Sequence, residues 1–236
     1  MSDDREGAEE RSSASLRICL LGASGLVGQA VIAAGAKAPG LRLTAISRRE
    51  IPLPEGARME VLLDEPSGWP DLVRAARPDV VICALGTTLR KAGSKEAFRA
   101  VDHDLVLDLA RAAREAGADH FILVSSTGAD AASGNFYLRT KGEVEQAVQA
   151  LGFARVDVMR PGVLRGPRSE FRPMELVARI TAPAVDLAIL RGQWRRFRSM
   201  PARRLAAAML ALTRQREPGV FVHDWDAVDT LLREAA

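Results

Sequence analysis

The segment LLGASGLVGQAV (20–31) constrains the fold more than any other part of this sequence. Its three glycines follow a short apolar run and precede a stretch of helical periodicity. In that setting the first glycine permits a tight strand-to-helix turn, the second lets the backbone approach a pyrophosphate, and the third lets the helix pack closely on the strand. We therefore predict a dinucleotide-binding turn whose backbone amides face the phosphates. The residues of this turn are Gly22, Ala23, Ser24, Gly25, Leu26, Val27 and Gly28.

Short runs rich in Val, Ile and Leu alternate with helix-period segments along most of the chain. The predicted strands are 16–21, 41–46, 59–63, 79–85, 120–126 and 153–159, with an edge strand at 219–223, and the main predicted helices are 26–37, 95–116 and 137–151. Because the runs are nearly continuous in apolar residues, the strands should be covered on both faces. The order predicts an α/β fold, a Rossmann-type doubly wound parallel sheet of about seven strands with helices on both faces.

The two ends of the chain differ in composition from its centre. The first fifteen residues carry five acidic residues and no apolar block, so we expect a disordered tail over 1–15 and no secretory signal. Residues 16–236 are long enough for a single NAD(P)-binding domain. Within that domain we expect 165–215 to form a small helical cap on the substrate side. The twelve arginines and three acidic residues between 165 and 216 fit either a solvated helical face or a lid that attracts an anionic ligand.

The composition argues against several other functional classes. No apolar run approaches the roughly 18 residues that span a bilayer, so we expect no membrane partner. Aromatic residues make up 5% of the chain and the net charge is only +3, so nucleic acid is not an expected partner either. His103, His120 and His223 lack metal-ligand spacing, which predicts no metal site. Cys19 and Cys83 lie in predicted strands as buried thiols without a disulfide, which we interpret as typical of a cytoplasmic protein.

The residues after the second predicted strand bear on the choice of cofactor. An acidic residue at that position would bind an unphosphorylated ribose, whereas this chain has Ser47, Arg48 and Arg49 there. An arginine matches the geometry of a phosphate group, so we predict NADP(H) in preference to NAD(H). Glu50 follows directly, which leaves the use of both cofactors open.

The candidate catalytic residues lie in the middle of the chain. Tyr137 is the only tyrosine, and Lys141, one of only four lysines, follows four residues later. On a helix this spacing puts the phenol and the ammonium on one face, where the positive charge favours proton transfer from the phenol. Ser125 and Ser126 end the preceding strand at the ligand edge of the sheet, where a hydroxyl could bind the substrate oxygen.

With these motifs the chain resembles the atypical short-chain dehydrogenases/reductases, and within them the Tat-interacting-protein-like subgroup of NAD(P)H-binding oxidoreductases. The pieces that carry the resemblance are CALGTT (83–88), KEAFRAVDHDLVLDLARAA (95–113), HFILVSSTGAD (120–130), YLRTKGEVE (137–145) and MRPGVLRGPR (159–168). It implies that Tyr137 and Lys141 form the catalytic pair and that Lys141 also holds the nicotinamide ribose. The further cofactor contacts that it implies are Asp64 at the adenine amino group, Ala84, Leu85 and Gly86 past the fourth strand, and Pro161, Gly162 and Val163 against the nicotinamide.

One position departs from the superfamily pattern, because Asp102 stands where many members carry an asparagine in the fourth helix. We expect an NADP(H)-dependent oxidoreductase that acts on a small carbonyl or alcohol substrate, as a monomer or a homodimer. A non-catalytic NADP(H)-sensing regulatory protein is one alternative, and an epimerase or dehydratase with a bound cofactor is another. The Tyr137/Lys141 pair favours an enzyme, because a sensor needs no matched phenol and ammonium.

Overall fold

A sheet of seven parallel strands runs through the part of the protein that the computed structural model describes, residues 15–166 and 192–234. Its strands are β1 (Leu16–Leu21), β2 (Leu41–Ser47), β3 (Met59–Leu63), β4 (Val80–Cys83), β5 (His120–Val124), β6 (Arg155–Met159) and β9 (Gly219–His223), in the order β3-β2-β1-β4-β5-β6-β9. The order reverses between β1 and β4, and a ligand crevice forms at the carboxyl ends of the strands at such a point.

Helices cover both faces of this sheet. They are α1 (Leu26–Gly35), α2 (Trp69–Ala76), α3 (Leu89–Ala92), α4 (Lys95–Arg99), α5 (Val106–Glu115), α6 (Phe136–Gln149), α7 (Ala202–Leu212) and α8 (Trp225–Glu234). Apolar residues of α2, α5 and α6 pack on one face, and those of α1, α7 and α8 pack on the other. The predicted doubly wound α/β fold is therefore confirmed.

Shorter elements complete the edges of the sheet. A π-helical turn (Ala100–Leu105) joins α4 to α5, and 3-10 turns occupy Pro66–Gly68 and Gly192–Phe197. Strands β7 (Leu164–Arg165) and β8 (Met200–Pro201) pair with each other in parallel. This two-stranded ladder lies between the end of β6 and the start of α1. Gly166, which follows β7, packs against Leu26 of α1, and a Cβ on Gly166 would lie 2.6 Å from Leu26 Cδ1.

The expected cap over 165–215 is only partly described, since 167–191 lies outside the described residues. Within the described part, α7 differs from the expectation because it covers the sheet beside α1. Its buried stripe includes Leu205, Ala206, Met209 and Leu212. A helix has the same apolar periodicity whether it belongs to a cap or packs on the sheet, so the sequence pattern alone did not show which surface α7 would cover. The expected tail likewise lies outside the described residues, apart from position 15.

The described ranges contain no helix with both the length and the apolarity to cross a bilayer. Over the same ranges no group of three or more metal-ligating side chains comes together. Cys19 and Cys83 are both free and buried in neighbouring strands. Burial raises the pKa of the Cys19 thiol to about 12 and that of Cys83 to about 11, so both thiols stay protonated at neutral pH.

A buried polar cluster lies in β5, β6 and β9, centred on Asp157. Its carboxylate accepts hydrogen bonds from His120 Nε2 and His223 Nε2, each at 2.6 Å, and from Arg155 Nε at 2.6 Å. Burial alone would raise the pKa of Asp157, but these hydrogen bonds outweigh it and hold the pKa well below the usual range. The cluster therefore links the last three strands of the sheet by side-chain hydrogen bonds as well as by backbone pairing.

Candidate cofactor and catalytic site

The three glycines of the turn after β1 meet different steric demands. Gly22 has a positive φ of 84°, and a Cβ there would lie 2.5 Å from the backbone of Ala84. A Cβ on Gly28 would lie 2.3 Å from the Gly22 carbonyl oxygen. A Cβ on Gly25 would meet only that same oxygen, at 3.3 Å. The protein's own packing therefore demands glycine at 22 and 28, whereas glycine at 25 keeps an open surface at the start of α1.

The N-terminus of α1 has the properties of an anion site. Its N-cap residue, Gly25, provides no side-chain hydrogen bond, and the first turn contains no acidic residue. The amide groups of that turn and the positive end of the helix dipole are thus left for a ligand. Gln29 Nε2 donates to the Ala23 carbonyl oxygen at 2.9 Å and steadies the turn. The open surface at Gly25 and these free amides fit the pyrophosphate of a dinucleotide.

The carboxyl ends of β2 and β3 bring together the residues predicted for the adenosine end of the cofactor. Arg48 and Arg49 are exposed directly after β2, and neither forms an ion pair with a described residue. The amide of Asp64 donates to the Ser47 carbonyl oxygen at 3.2 Å, which fixes Asp64 next to the two arginines. The Asp64 carboxylate accepts a hydrogen bond from the Glu65 amide at 2.8 Å.

Tyr137 lies in the first turn of α6. The helix begins where the Asn135 side chain accepts a hydrogen bond from the Leu138 amide, so Tyr137 is the second helical residue. The buried ring of Phe98, in α4, contacts the Tyr137 ring with 5.7 Å between centroids. The Tyr137 hydroxyl forms no hydrogen bond with any residue in the described ranges. The ring is therefore held by packing while its hydroxyl is available to a substrate.

Lys141 follows one turn later on the same face of α6, and it is paired with Asp102 of the π-helical turn. Lys141 Nζ lies 2.7 Å from Asp102 Oδ1, and the two side chains are only 8% and 1% exposed. Asp102 Oδ2 accepts a hydrogen bond from the Thr87 amide at 2.7 Å. A Cβ on Gly86 would lie 3.3 Å from Asp102 Oδ1 and 3.8 Å from Lys141 Nζ. The predicted catalytic lysine and the predicted cofactor loop therefore share one carboxylate.

The two adjacent serines have different environments. Ser125 is buried, and its hydroxyl donates to Glu145 in α6. The Glu145 carboxylate also accepts from Arg160, from Nε at 3.0 Å and from Nη2 at 2.5 Å. Ser126 is half-buried, and among the described residues its hydroxyl has a single hydrogen-bond partner, the carbonyl oxygen of Thr127 at 3.4 Å. Of the two candidates, Ser126 is the one with a hydroxyl free to reach a substrate.

The segment after β6 lies beside these serines at the same edge of the sheet. The Thr127 amide donates to the Pro161 carbonyl oxygen at 3.0 Å. Gly162 lies against the 3-10 turn, because a Cβ there would be 2.7 Å from the Phe197 carbonyl oxygen. Val163 is 63% exposed, which is high for an apolar side chain and leaves it available to a nicotinamide ring. Ala84 and Leu85 belong to the same edge, where the Ala84 amide donates to the Leu21 carbonyl oxygen at 2.8 Å.

Three residues that sequence reasoning missed hold this arrangement together. Glu145 and Arg160 connect α6 to the end of β6. The hydrogen bonds from Arg160 to the Glu145 carboxylate raise the pKa of Arg160, although burial alone would lower it. Gly142 lets the loop after β5 lie directly on α6, since a Cβ there would be 2.2 Å from the Ala131 amide nitrogen. The spacing of Tyr137, Lys141 and Glu145, each one helical turn apart, was the available signal for Glu145.

Comparison with protein families matches residues 22–170 to a family of NAD(P)H-binding proteins. The chain belongs to this family. Two curated relatives are the mitochondrial protein fmp52 of Emericella nidulans, 39% identical over 71% of this chain and 75% of that protein, and the mitochondrial protein FMP52 of Saccharomyces cerevisiae, 35% identical over 77% and 80%. The resemblance to atypical short-chain dehydrogenases/reductases and the nicotinamide dinucleotide as ligand are thereby confirmed.

The expected cytoplasmic location is wrong, because the curated relatives are named as mitochondrial proteins. The expectation rested on Cys19 and Cys83 as buried thiols. Both thiols are indeed free and buried, but their state reflects burial inside β1 and β4 and does not identify a compartment.

Solved structures show the same fold. One neighbour is MoeE5 in complex with UDP-glucuronic acid and NAD, with a TM-score of 0.65, 18% identity and coverage of 87% of this chain and 75% of that one. Another is a UDP-glucose 4-epimerase of Thermotoga maritima with UDP-glucose, with a TM-score of 0.66, 14% identity and coverage of 89% and 77%. At these identities the likeness establishes that the chain shares the fold of these two proteins.

Proposed function

We propose that the protein is an NADP(H)-dependent oxidoreductase that interconverts a small carbonyl compound and its alcohol. The observation that carries this proposal is the buried Lys141–Asp102 pair, which lies directly against Gly86. Lys141 is one helical turn from Tyr137, whose hydroxyl has no partner among the described residues. A protein that only binds the dinucleotide needs the glycine turn, but it does not need a phenol and an ammonium on one helix face beside the cofactor loop.

The roles follow from the environment of each side chain. The cofactor, when bound, supplies or accepts the hydride. Tyr137 would donate the proton to the substrate oxygen during reduction, since its hydroxyl has no other described partner. Ser126 would hydrogen-bond the same oxygen and orient it. Lys141, fixed by Asp102, would place a positive charge beside the phenol and hold the nicotinamide ribose.

Arg48 and Arg49 support the preference for NADP(H). Both guanidinium groups are exposed at the end of β2 without a described carboxylate partner, which suits binding of a 2′-phosphate. Asp64 lies next to them and would contact the adenine amino group.

Replacing Tyr137 by Phe tests the proposal. The phenyl ring keeps the contact with Phe98, so we expect unchanged NADPH affinity and a fall in kcat of about 10²- to 10⁴-fold, the usual contribution of a general acid. NADPH affinity is measured by calorimetry and turnover by NADPH oxidation against a panel of aldehydes and ketones. Retained turnover in Tyr137→Phe would show that another group delivers the proton.

The adjacent serines provide a matched pair of variants. Ser126→Ala should lower turnover with little change in the free energy of unfolding, because its hydroxyl has only a weak internal contact. Ser125→Ala should instead lower stability, because it removes a buried partner of Glu145. If the wild-type protein binds NADPH but oxidises none of it with any carbonyl in the panel, the sensing function replaces the catalytic one.

A further inference from the structure

A group of arginines lies next to the catalytic side of the site. Thr127, which follows Ser126, has its hydroxyl within hydrogen-bond distance of the carbonyl oxygens of Arg160, at 2.8 Å, and Arg196, at 3.1 Å. Gly162 closes on the same segment, because a Cβ there would lie 2.6 Å from the Arg198 carbonyl oxygen. The segment 195–198 is thus fixed to the ends of β5 and β6, where Ser126 would meet the substrate.

This region of the sequence is strongly basic. Residues 160–166 and 195–204 contain no acidic residue, and their arginines are Arg160, Arg165, Arg195, Arg196, Arg198, Arg203 and Arg204. Acidic residues on other elements neutralise three of them, since Glu145 pairs with Arg160, Asp226 with Arg195 and Asp229 with Arg204. Arg165, Arg196 and Arg203 form no ion pair with a described residue. An anion can therefore bind here without displacing an internal carboxylate.

Two of the guanidinium groups also have a buried donor without a partner. The Nε atoms of Arg165 and Arg195 are both buried and have no hydrogen-bond acceptor within the described ranges. Buried donors in native proteins are nearly always satisfied by a protein group, an ordered water or a ligand, so these two Nε atoms are donors that an anionic ligand could use. Arg165 lies in β7, next to Gly166 at the start of α1, and so stands between the glycine turn and the segment 195–198.

Aromatic rings hold several of these guanidinium groups in place. Arg196 lies over the ring of Phe197 at 5.1 Å, and Arg195 and Arg198 lie over the ring of Trp225 at 5.3 and 5.4 Å. Such stacking keeps the guanidinium charge while limiting the motion of the side chain. The positive charges beside the substrate position are therefore partly ordered before a ligand arrives.

We propose that the substrate carries an anionic group, a carboxylate or a phosphate ester, which Arg165 and Arg196 bind while its carbonyl meets Ser126 and Tyr137. This inference rests on the proposed function for the placement of the carbonyl. The binding of the anion does not depend on turnover, so it can be measured separately.

The test uses protein saturated with NADPH, so that the glycine turn is already occupied. Benzoate, phenyl phosphate and the neutral benzamide serve as probes, and their dissociation constants are measured by ligand-observed NMR. We expect one or both anions to bind and benzamide not to bind. Arg165→Gln and Arg196→Gln should each raise the dissociation constant of the anion about tenfold or more, which is typical of a lost charge-assisted hydrogen bond. Arg203→Gln is the matched control, since Arg203 is exposed on α7 and should leave the constant unchanged.

Each outcome decides between specific alternatives. Equal binding of anions and benzamide, or an equal effect of Arg203→Gln, would overturn the inference. Anion binding that occurs only without NADPH would assign the anion to the glycine turn and would also overturn it. If Arg165→Gln weakens NADPH binding itself, Arg165 contacts the cofactor pyrophosphate and the proposal fails for that residue. A protein that binds anions as expected but never oxidises NADPH would uphold this inference while refuting the proposed function.

Discussion

Asp102→Asn is the substitution with the largest expected effect on the candidate site. In the wild-type protein the Asp102 carboxylate faces the Lys141 ammonium at 2.7 Å and accepts from the Thr87 amide, also at 2.7 Å. An asparagine has one acceptor oxygen and one donor group, so one of the two partners would face an N–H group. The ammonium would also lose its counter-charge while 92% of the Lys141 side chain stays out of solvent, given its 8% exposure.

Removing one partner of a buried ion pair typically lowers the free energy of unfolding by about 3 to 5 kcal/mol. We expect a loss in that range for Asp102→Asn. The matched control is Asp104→Asn in the same π-helical turn, where Asp104 contacts His103 Nδ1 at 2.7 Å but is 58% exposed. Because the Asp104 carboxylate is exposed, its contact contributes less than about 1 kcal/mol, so the control should be nearly as stable as wild type.

Urea unfolding followed by circular dichroism measures both variants. NADPH at 100 times its dissociation constant adds about 2.7 kcal/mol to a folded protein that binds it, and the Asp102 variant should gain less than wild type at the same concentration. This is expected because Asp102 connects Lys141 to the cofactor loop. If Asp102→Asn loses no more stability than Asp104→Asn, the buried pair is not a significant stabilising contact and its proposed role in holding Lys141 is incorrect.

Three further substitutions test the cofactor site and the sheet. Arg48→Ala should weaken NADPH binding by about 1.5 to 3 kcal/mol and leave NADH binding nearly unchanged, as measured by calorimetry, and equal losses for both would show that Arg48 does not bind the 2′-phosphate. The Gly25→Val variant should have a normal circular dichroism spectrum but should not bind NADPH, since the valine side chain would fill the open surface at the start of α1. An unchanged NADPH affinity would show that the pyrophosphate binds elsewhere. Asp157→Asn should lower the free energy of unfolding by about 3 to 5 kcal/mol at pH 7. The folded-state pKa of Asp157 is lowered, so the carboxylate stabilises the fold at pH values above its unfolded-state pKa and loses this effect as the pH falls toward its folded-state pKa. The difference in free energy of unfolding between wild type and Asp157→Asn should therefore shrink below about pH 4. A difference that does not change with pH would contradict this reasoning.

The sequence predicted the sheet well because its strands are continuous apolar runs. The bounds of β1, β3 and β9 agree with the predicted 16–21, 59–63 and 219–223. The prediction omitted α2 and α8, although both are amphipathic and α8 has ten residues, as does the correctly predicted α1. The placement of α7 also needed tertiary information, because an apolar stripe does not reveal which surface it will cover.

The candidate site was predictable where local geometry decides it. Helical spacing alone puts Tyr137 and Lys141 on one face, and the structure has both in α6 as expected. The partners of these residues come from distant parts of the chain, such as Asp102, which lies 39 positions before Lys141. The different environments of Ser125 and Ser126 depend on Glu145 and on the path of the loop after β5. No short-range pattern carries that information.

The position of β9 has a consequence for synthesis and folding. This strand begins at Gly219, 60 positions after β6 ends at Met159, yet it pairs with β6, and its His223 completes the hydrogen bonding of Asp157. A nascent chain on the ribosome therefore holds β6 as an open edge, with the Asp157 carboxylate short of one donor, until residues 219–223 have also emerged. Loss of β9 would expose the same edge of β6 permanently, and unpaired strand edges invite association with other chains.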